Sequence, residues 1–143
     1  MDRILGIDYG DSRIGVAISD PMGWTASGLE TVASKNSFKK AARRVADIMI
    51  ERKISKVVVG WPLNMDGTAG ESSKKVLSFI NEILELTAGQ KIEIVRWDER
   101  LTTVSAQKNM IELGISSRKK KTVIDKMAAQ YILQNYLDSI SGH

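Results

Sequence analysis

The chain has 143 residues, 43% hydrophobic and 27% charged, a balance typical of one folded globular domain. It has no cysteine, and its one histidine is the last residue, so disulfides, thiolate or imidazole metal sites and histidine-dependent nucleophiles are excluded. The net charge of +4 favours a polyanionic partner, although a basic surface kept for solubility explains it nearly as well. No apolar run approaches the roughly 18 residues of a membrane helix. We expect one domain over residues 1–143, without a signal peptide, in the reducing cytoplasm and away from membranes.

The first segment predicts a β-hairpin. An apolar run over residues 4–7 ends in Asp8, and glycines at positions 10 and 15 mark the turn into the return run over residues 14–18. Strand alternation places Asp8 on the same face as Ile4 and Gly6. In this segment alone, Asp8 is equally well explained as a turn residue and as a site carboxylate.

The rest of the chain predicts strands that alternate with helices. A short connection makes a third strand, over residues 27–32, antiparallel to the second. The further predicted elements are a helix capped by Ser37 and reaching Arg52, a strand over 54–59, a helix over 72–87, a strand over 92–97, a helix ending at Leu113 and a last helix over 122–140. This order indicates an α/β fold, a five-stranded mixed sheet flanked by helices, with the first, fourth and fifth strands parallel. Their carboxyl ends share the edge where such folds bind ligands.

Three carboxylates are candidates for that edge. Asp8 ends the first strand, Glu99 follows the fifth, and Asp125 lies in the first turn of the predicted last helix. Ala128 and Ala129 would let this helix approach the sheet closely. A structural explanation of Asp125 is also open, because its spacing from Thr122 fits a capping box and its charge suits a helix N-terminus.

A cluster of three ionised carboxylates needs a cation or protonation. Unit charges about 4 Å apart repel by roughly 4 kcal/mol per pair at an effective dielectric near 20. An all-oxygen ligand set suits Mg²⁺ or Mn²⁺. Two such ions would activate a water and stabilise the leaving oxygen of an in-line phosphoryl displacement.

Four motifs then resemble the YqgF family, the bacterial Holliday-junction resolvase-like proteins also described as nucleases that mature the precursor of small-subunit ribosomal RNA. The motifs are Gly6–Gly10 with Arg13–Ala17, Val59–Thr68, Asp98–Thr103, and Ile124–Asp125 with Ala128–Ala129. The resemblance covers nearly the whole chain. It implies an RNase H-like fold with sheet order 3-2-1-4-5. It also implies a metal-binding triad of catalytic acids, which corresponds to Asp8, Glu99 and Asp125 in this sequence.

The resemblance also implies the reaction. We expect a metal-dependent endonuclease acting on structured nucleic acid, with the 5′ end of pre-16S rRNA as first substrate and branched DNA as the alternative. Two other hypotheses stay open. One is a non-catalytic nucleic-acid-binding module in transcription or ribosome assembly. The other is nucleotide binding, because an Asp-x-Gly hairpin also opens actin-like ATPases and sugar kinases, which need two such domains. Neither the substrate nor the oligomeric state, monomer or dimer, follows from the sequence.

One position departs from the wider superfamily. Its resolvases tend to place the second acid at the end of the fourth strand, where this chain reads Gly60-Trp61-Pro62. The role therefore moves to Glu99, with Asp98 and Asp66 as rivals. Trp61 could stack on a base there, but a tryptophan that packs the strand end is the more ordinary explanation.

Cationic and polar side chains near these acids are the candidates for binding substrate. Arg13 and Arg100 each lie close in sequence to a proposed catalytic acid and could steady phosphates or orient the carboxylates. Asn64 and Thr68 could donate to the substrate from the loop after the fourth strand. A basic run precedes the predicted last helix, where a phosphate backbone would pass Asp125, although a solvated loop explains it equally well. The run consists of Arg118, Lys119, Lys120 and Lys121.

Overall fold

The computed structural model describes residues 3–35, 37–62, 70–98 and 117–141, with side chains in the last range from residue 123 onward. Several predictions fall outside these ranges. They are the helix ending at Leu113 and the residues Asn64, Asp66, Thr68, Glu99 and Arg100.

The described residues form five strands and three helices. The strands are β1 (Ile4–Tyr9), β2 (Arg13–Ser19), β3 (Ala26–Ala33), β4 (Lys56–Trp61) and β5 (Glu93–Asp98), and the helices are α1 (Phe38–Glu51), α2 (Glu71–Leu86) and α3 (Ser117–Ser141). The sheet order is β3-β2-β1-β4-β5, which confirms the predicted topology. β1 is antiparallel to β2 and β2 to β3, whereas β1, β4 and β5 are parallel. The carboxyl ends of these three strands therefore share one edge of the sheet.

Strand alternation gives the sheet two buried faces. Leu5 and Ile7 point to the core shared with α1 and α2, where Phe79 is fully buried. Ile4 and Val58 point to the opposite core, which α3 covers. Helices thus flank both faces, as predicted. None of the helices in the described ranges combines the length and apolar character needed to cross a bilayer.

Glycines in the sheet let α3 approach it at backbone contact. A Cβ built on Gly15 would lie 1.8 Å from the carbonyl oxygen of Asp125, and one built on Gly6 would lie 2.7 Å from Cβ of Leu133. On the helix side, Ala129 is fully buried. The predicted close approach is therefore present. It depends on glycines in the sheet as well as on the small residues of the helix.

The start of α3 corrects the sequence analysis. The helix begins at Ser117, five residues before the predicted start at Thr122, so the basic run over residues 118–121 is helical and does not form a loop. Arginine and lysine are good helix formers, and the helix extends through them although its dipole disfavours cations there. Asp125 lies eight residues into the helix, so the capping-box interpretation is wrong.

Candidate active site

Asp8 lies at the shared edge, one residue before the end of β1. Alternation places it on the face of the sheet that α3 covers, and only 9% of its surface is exposed. In the antiparallel register Asp8 pairs with Gly15, where the backbone of Asp125 rests. Cα atoms of directly paired antiparallel residues are about 4.5–5.5 Å apart. The first strand and the last helix therefore bring Asp8 and Asp125 to the same side of the sheet.

Arg13 holds the carboxylate of Asp125. Nε of Arg13, at the start of β2, donates to Oδ2 of Asp125 at 2.7 Å. The side chains are 35% and 16% exposed, so the pair is better shielded from water than an ordinary surface ion pair. A charge-assisted hydrogen bond of this length fixes the orientation of the carboxylate. The arrangement favours the orienting role among the two that the sequence suggested for Arg13.

A cavity of about 330 Å³ opens at this edge, and both Asp8 and Asp125 line it. Its lining comes from the end of β1 and the turn after it, from the residue after β4, from the N-terminal half of α2 and from α3. The lining residues are Asp8, Tyr9, Gly10, Asp11, Pro62, Ser72, Lys75, Val76 and Asp125.

Lys75 and Asp11 are cavity residues that the sequence analysis missed. Nζ of Lys75 lies 3.2 Å from Oδ2 of Asp11, and this ion pair connects α2 to the turn after β1. The apolar periodicity of α2 predicts which residues face the core. It does not predict which polar residue faces the strand ends, and a pair separated by 64 residues leaves no local signal.

Tyr9 adds a hydroxyl group to the lining. Its ring packs edge-on against Phe79, with 5.2 Å between ring centroids. Burial raises the pKa of Tyr9, the negative charge of Asp11 raises it further, and Lys75 opposes both effects. The hydroxyl therefore stays protonated at neutral pH and can donate a hydrogen bond into the cavity.

The donor set suits a hard divalent cation. Two carboxylates line one cavity, and Asp125 can offer its second oxygen while Oδ2 stays bonded to Arg13. Within the described residues there is no group of three side chains that could hold a metal ion. Glu99, the third predicted ligand, lies outside those residues.

Trp61 and Asp98, at the ends of β4 and β5, do not lie on the face of the sheet that carries Asp8. Trp61 is 7% exposed and lies in the core, with the guanidinium carbon of Arg96 4.2 Å from its ring centroid. It packs the strand end, and the base-stacking alternative is wrong. Trp97 packs on the α3 side of β5, so alternation turns Asp98 toward the other face, away from Asp8.

Comparison with solved structures defines the class of fold. A structure described as Thermus thermophilus RuvC in complex with a Holliday junction substrate superposes with a TM-score of 0.61 and 15% identity, over 99% of this chain and 97% of that one. A second Thermus thermophilus RuvC structure gives a TM-score of 0.57 at 13% identity, over 98% and 96% of the two chains. The fold is RNase H-like, as the motifs predicted.

Sequence comparison then gives the family. The family model described as "RuvX: Holliday junction resolvase" matches residues 2–139. A Ruminiclostridium cellulolyticum protein named "Putative pre-16S rRNA nuclease" is 57% identical over 141 residues, covering 99% of this chain and 97% of the relative. An Acetivibrio thermocellus protein of the same name is 50% identical, covering 96% of each chain. The chain belongs to the RuvX family, which confirms the resemblance stated above under the name YqgF.

Proposed function

We propose that this protein is an endonuclease that hydrolyses phosphodiester bonds in structured nucleic acid with the help of divalent cations, and that its substrate is a precursor of 16S rRNA. The names of the relatives at 50–57% identity support the substrate. One structural observation carries the activity. Asp8 and Asp125 come from opposite ends of the chain to one cavity on one face of the sheet.

In this proposal Asp8, Glu99 and Asp125 are the catalytic acids and the metal ligands. Divalent cations, when bound, would activate a water and stabilise the leaving oxygen. The oxygen of water bonds to phosphorus, the bond from phosphorus to the 3′ oxygen breaks, and the products are a 5′-phosphate and a 3′-hydroxyl. Arg13 is a positioning residue, because its hydrogen bond keeps the carboxylate of Asp125 in one orientation.

The remaining predicted substrate contacts are part of the same proposal. Positions 118 and 121 precede Asp125 by seven and four residues in α3, a spacing that places all three positions on one helix face. The other proposed contacts are Lys119, Lys120, Asn64, Thr68 and Arg100. We further propose that residues 1–143 act as one domain in the cytoplasm, in keeping with the absence of cysteine.

Cleavage of two substrates side by side tests the proposal. A ribosomal RNA precursor and a four-way DNA junction are incubated with wild type, with Asp8→Asn and with Asp125→Asn, with Mg²⁺ or Mn²⁺ supplied. We expect wild type to cleave the RNA and both variants to lose cleavage while circular dichroism shows an intact fold. Asp47→Asn is the matched control, because this aspartate lies on α1 outside the cavity, its side chain is 43% exposed, and its ion pair with Arg43 is long, at 3.6 Å.

Other outcomes point to the alternatives. Cleavage of the junction but not of the RNA would favour the resolvase function that the description of the family model names. Wild type that cleaves neither substrate would overturn the nuclease proposal. Retained cellular function in an Asp8→Asn, Glu99→Gln double variant would then favour a non-catalytic role.

A further inference from the structure

The side chains that line the proposed site carry more negative than positive charge. Among the described residues that line the cavity there are three carboxylates, on Asp8, Asp11 and Asp125, and one ammonium group, on Lys75. With the guanidinium group of Arg13, which is bonded to Asp125, the formal balance of these groups is −1, and this negative charge repels the phosphates of a nucleic acid. Divalent cations at the acids would hold the reacting phosphate, and a cationic side chain on the cavity wall can hold a neighbouring phosphate of the same strand.

Lys75 is placed to provide this contact. It projects from α2, on the wall that faces the end of β1, and its neighbour Val76 is anchored in the core at 3% exposure. The base of the lysine is therefore fixed, and its flexible stem can follow a phosphate within the cavity.

The partner of Lys75 can be exchanged at little cost. The side chains of Lys75 and Asp11 are 55% and 69% exposed, and ion pairs in such positions contribute little to stability. A phosphate oxygen can replace the carboxylate of Asp11 without leaving a buried charge unpaired. In the structure the pair places the ammonium group of Lys75 at the cavity.

We propose that Lys75 binds a backbone phosphate of the nucleic-acid substrate beside the catalytic acids, exchanging Asp11 for that phosphate. The inference rests on the proposed nuclease function and adds a binding residue on α2 to it. Lys74 provides a matched comparison, because this adjacent lysine of the same helix does not line the cavity and lies 3.4 Å from Glu71.

Binding of fluorescently labelled precursor RNA, measured by anisotropy in EDTA so that no cleavage occurs, tests the assignment over a series of salt concentrations. For Lys75→Gln we expect affinity to fall by about 3- to 10-fold and the slope of log K against log salt to drop by about 0.7–0.9, as for one lost phosphate contact. Lys75→Arg should retain the affinity within about threefold, because it keeps the charge. Lys74→Gln should change the affinity by less than about twofold.

Asp11→Asn separates phosphate binding from a structural role of the ion pair. If Lys75 binds phosphate, removing its carboxylate partner leaves the affinity unchanged or raises it. An Asp11→Asn variant that loses as much affinity as Lys75→Gln would overturn the inference, since both would then act by loosening the turn after β1.

The proposed function and the role of the lysine fail in different ways. Wild type that cleaves RNA while Lys75→Gln binds like Lys74→Gln overturns the assignment of Lys75 alone. Wild type that cleaves neither RNA nor junction overturns the nuclease proposal and the role of Lys75 with it.

Discussion

Replacing Gly15 with alanine should displace the candidate active site by pushing α3 away from the sheet. A Cβ at this position would lie 1.8 Å from the carbonyl oxygen of Asp125 and 2.5 Å from its carbonyl carbon. Both atoms belong to the helix backbone, so no side-chain rotation relieves the clash. The part of α3 that moves is the part that carries the carboxylate of Asp125.

The size of the displacement follows from ordinary contact distances. Carbon and carbonyl oxygen approach to about 3.3 Å, so the backbone at Asp125 must retreat by roughly 1.5 Å. Overpacking of this kind costs about 1–3 kcal/mol of folding free energy. A misplacement of about 1 Å at an active site can cost about 100-fold in rate. Gly15→Ala should therefore lose far more activity than its stability explains.

Urea unfolding and single-turnover cleavage, at a temperature where every variant is folded, measure the two effects separately. Gly6→Ala is the control, because its Cβ would meet Cβ of Leu133 at 2.7 Å and the carbonyl oxygen of Ala129 at 3.1 Å, eight and four residues along α3 from Asp125. This overlap is smaller than the one at Gly15 and lies farther from the carboxylate. It should be destabilised, yet cleave within a few-fold of wild type. Wild-type rate and stability in Gly15→Ala, or equal loss of rate in both variants, would show that Gly15 does not position Asp125 at the site.

Four further outcomes follow from single contacts. Arg13→Gln should lower the unfolding free energy by about 1–2 kcal/mol and slow single-turnover cleavage, because one hydrogen bond orients the carboxylate; an unchanged rate contradicts the positioning role. Hydrogen bonding from Arg44 lowers the pKa of Glu30, so the contribution of this pair is complete above the ordinary value of 4.5 and is lost as pH falls. The gap in melting temperature between wild type and Arg44→Gln should therefore shrink from pH 6 to pH 3, and a constant gap argues against the pair. Ser37→Ala removes the cap of α1 and should cost about 1 kcal/mol in urea unfolding with no change in cleavage rate. Asp8→Asn removes a negative charge and should bind RNA more tightly than wild type in EDTA; weaker binding would show that this carboxylate does not repel the strand.

The sheet and the face of Asp8 were predictable because they depend on local patterns. Apolar alternation marks β1 and fixes the face on which its odd and even residues lie, and the short connection marks the hairpin with β2. The cap at Ser37 was also predicted, and its side chain accepts from the backbone N–H of Lys40 at 3.2 Å. The sheet order depended on the family resemblance, since alternation does not choose which strands become neighbours.

Contacts between residues far apart in the chain were not predictable in the same way. Gly15 was assigned to a turn signal, whereas its missing side chain accommodates a helix more than 100 residues later in the chain. The start of α3 was misplaced because a capping-box pattern at Thr122 outweighed the helix propensity of the basic run before it. The Lys75–Asp11 pair depends on how α2 is rotated about its axis, and only packing against the sheet fixes that rotation.

The same packing brings Asp125 and Lys75 to one cavity from opposite layers of the fold. Asp8 and Asp125 share the α3 side of the sheet, where Gly15 allows backbone contact and Arg13 reaches the helix from the neighbouring strand. Lys75 reaches the cavity from α2, on the other layer. A strand of nucleic acid at this cavity would meet the carboxylates of Asp8 and Asp125 on the α3 side and the ammonium group of Lys75, now paired with Asp11, on the α2 side. Under the two proposals above, cations at the acids would hold the reacting phosphate, and the lysine would hold another phosphate of the same strand.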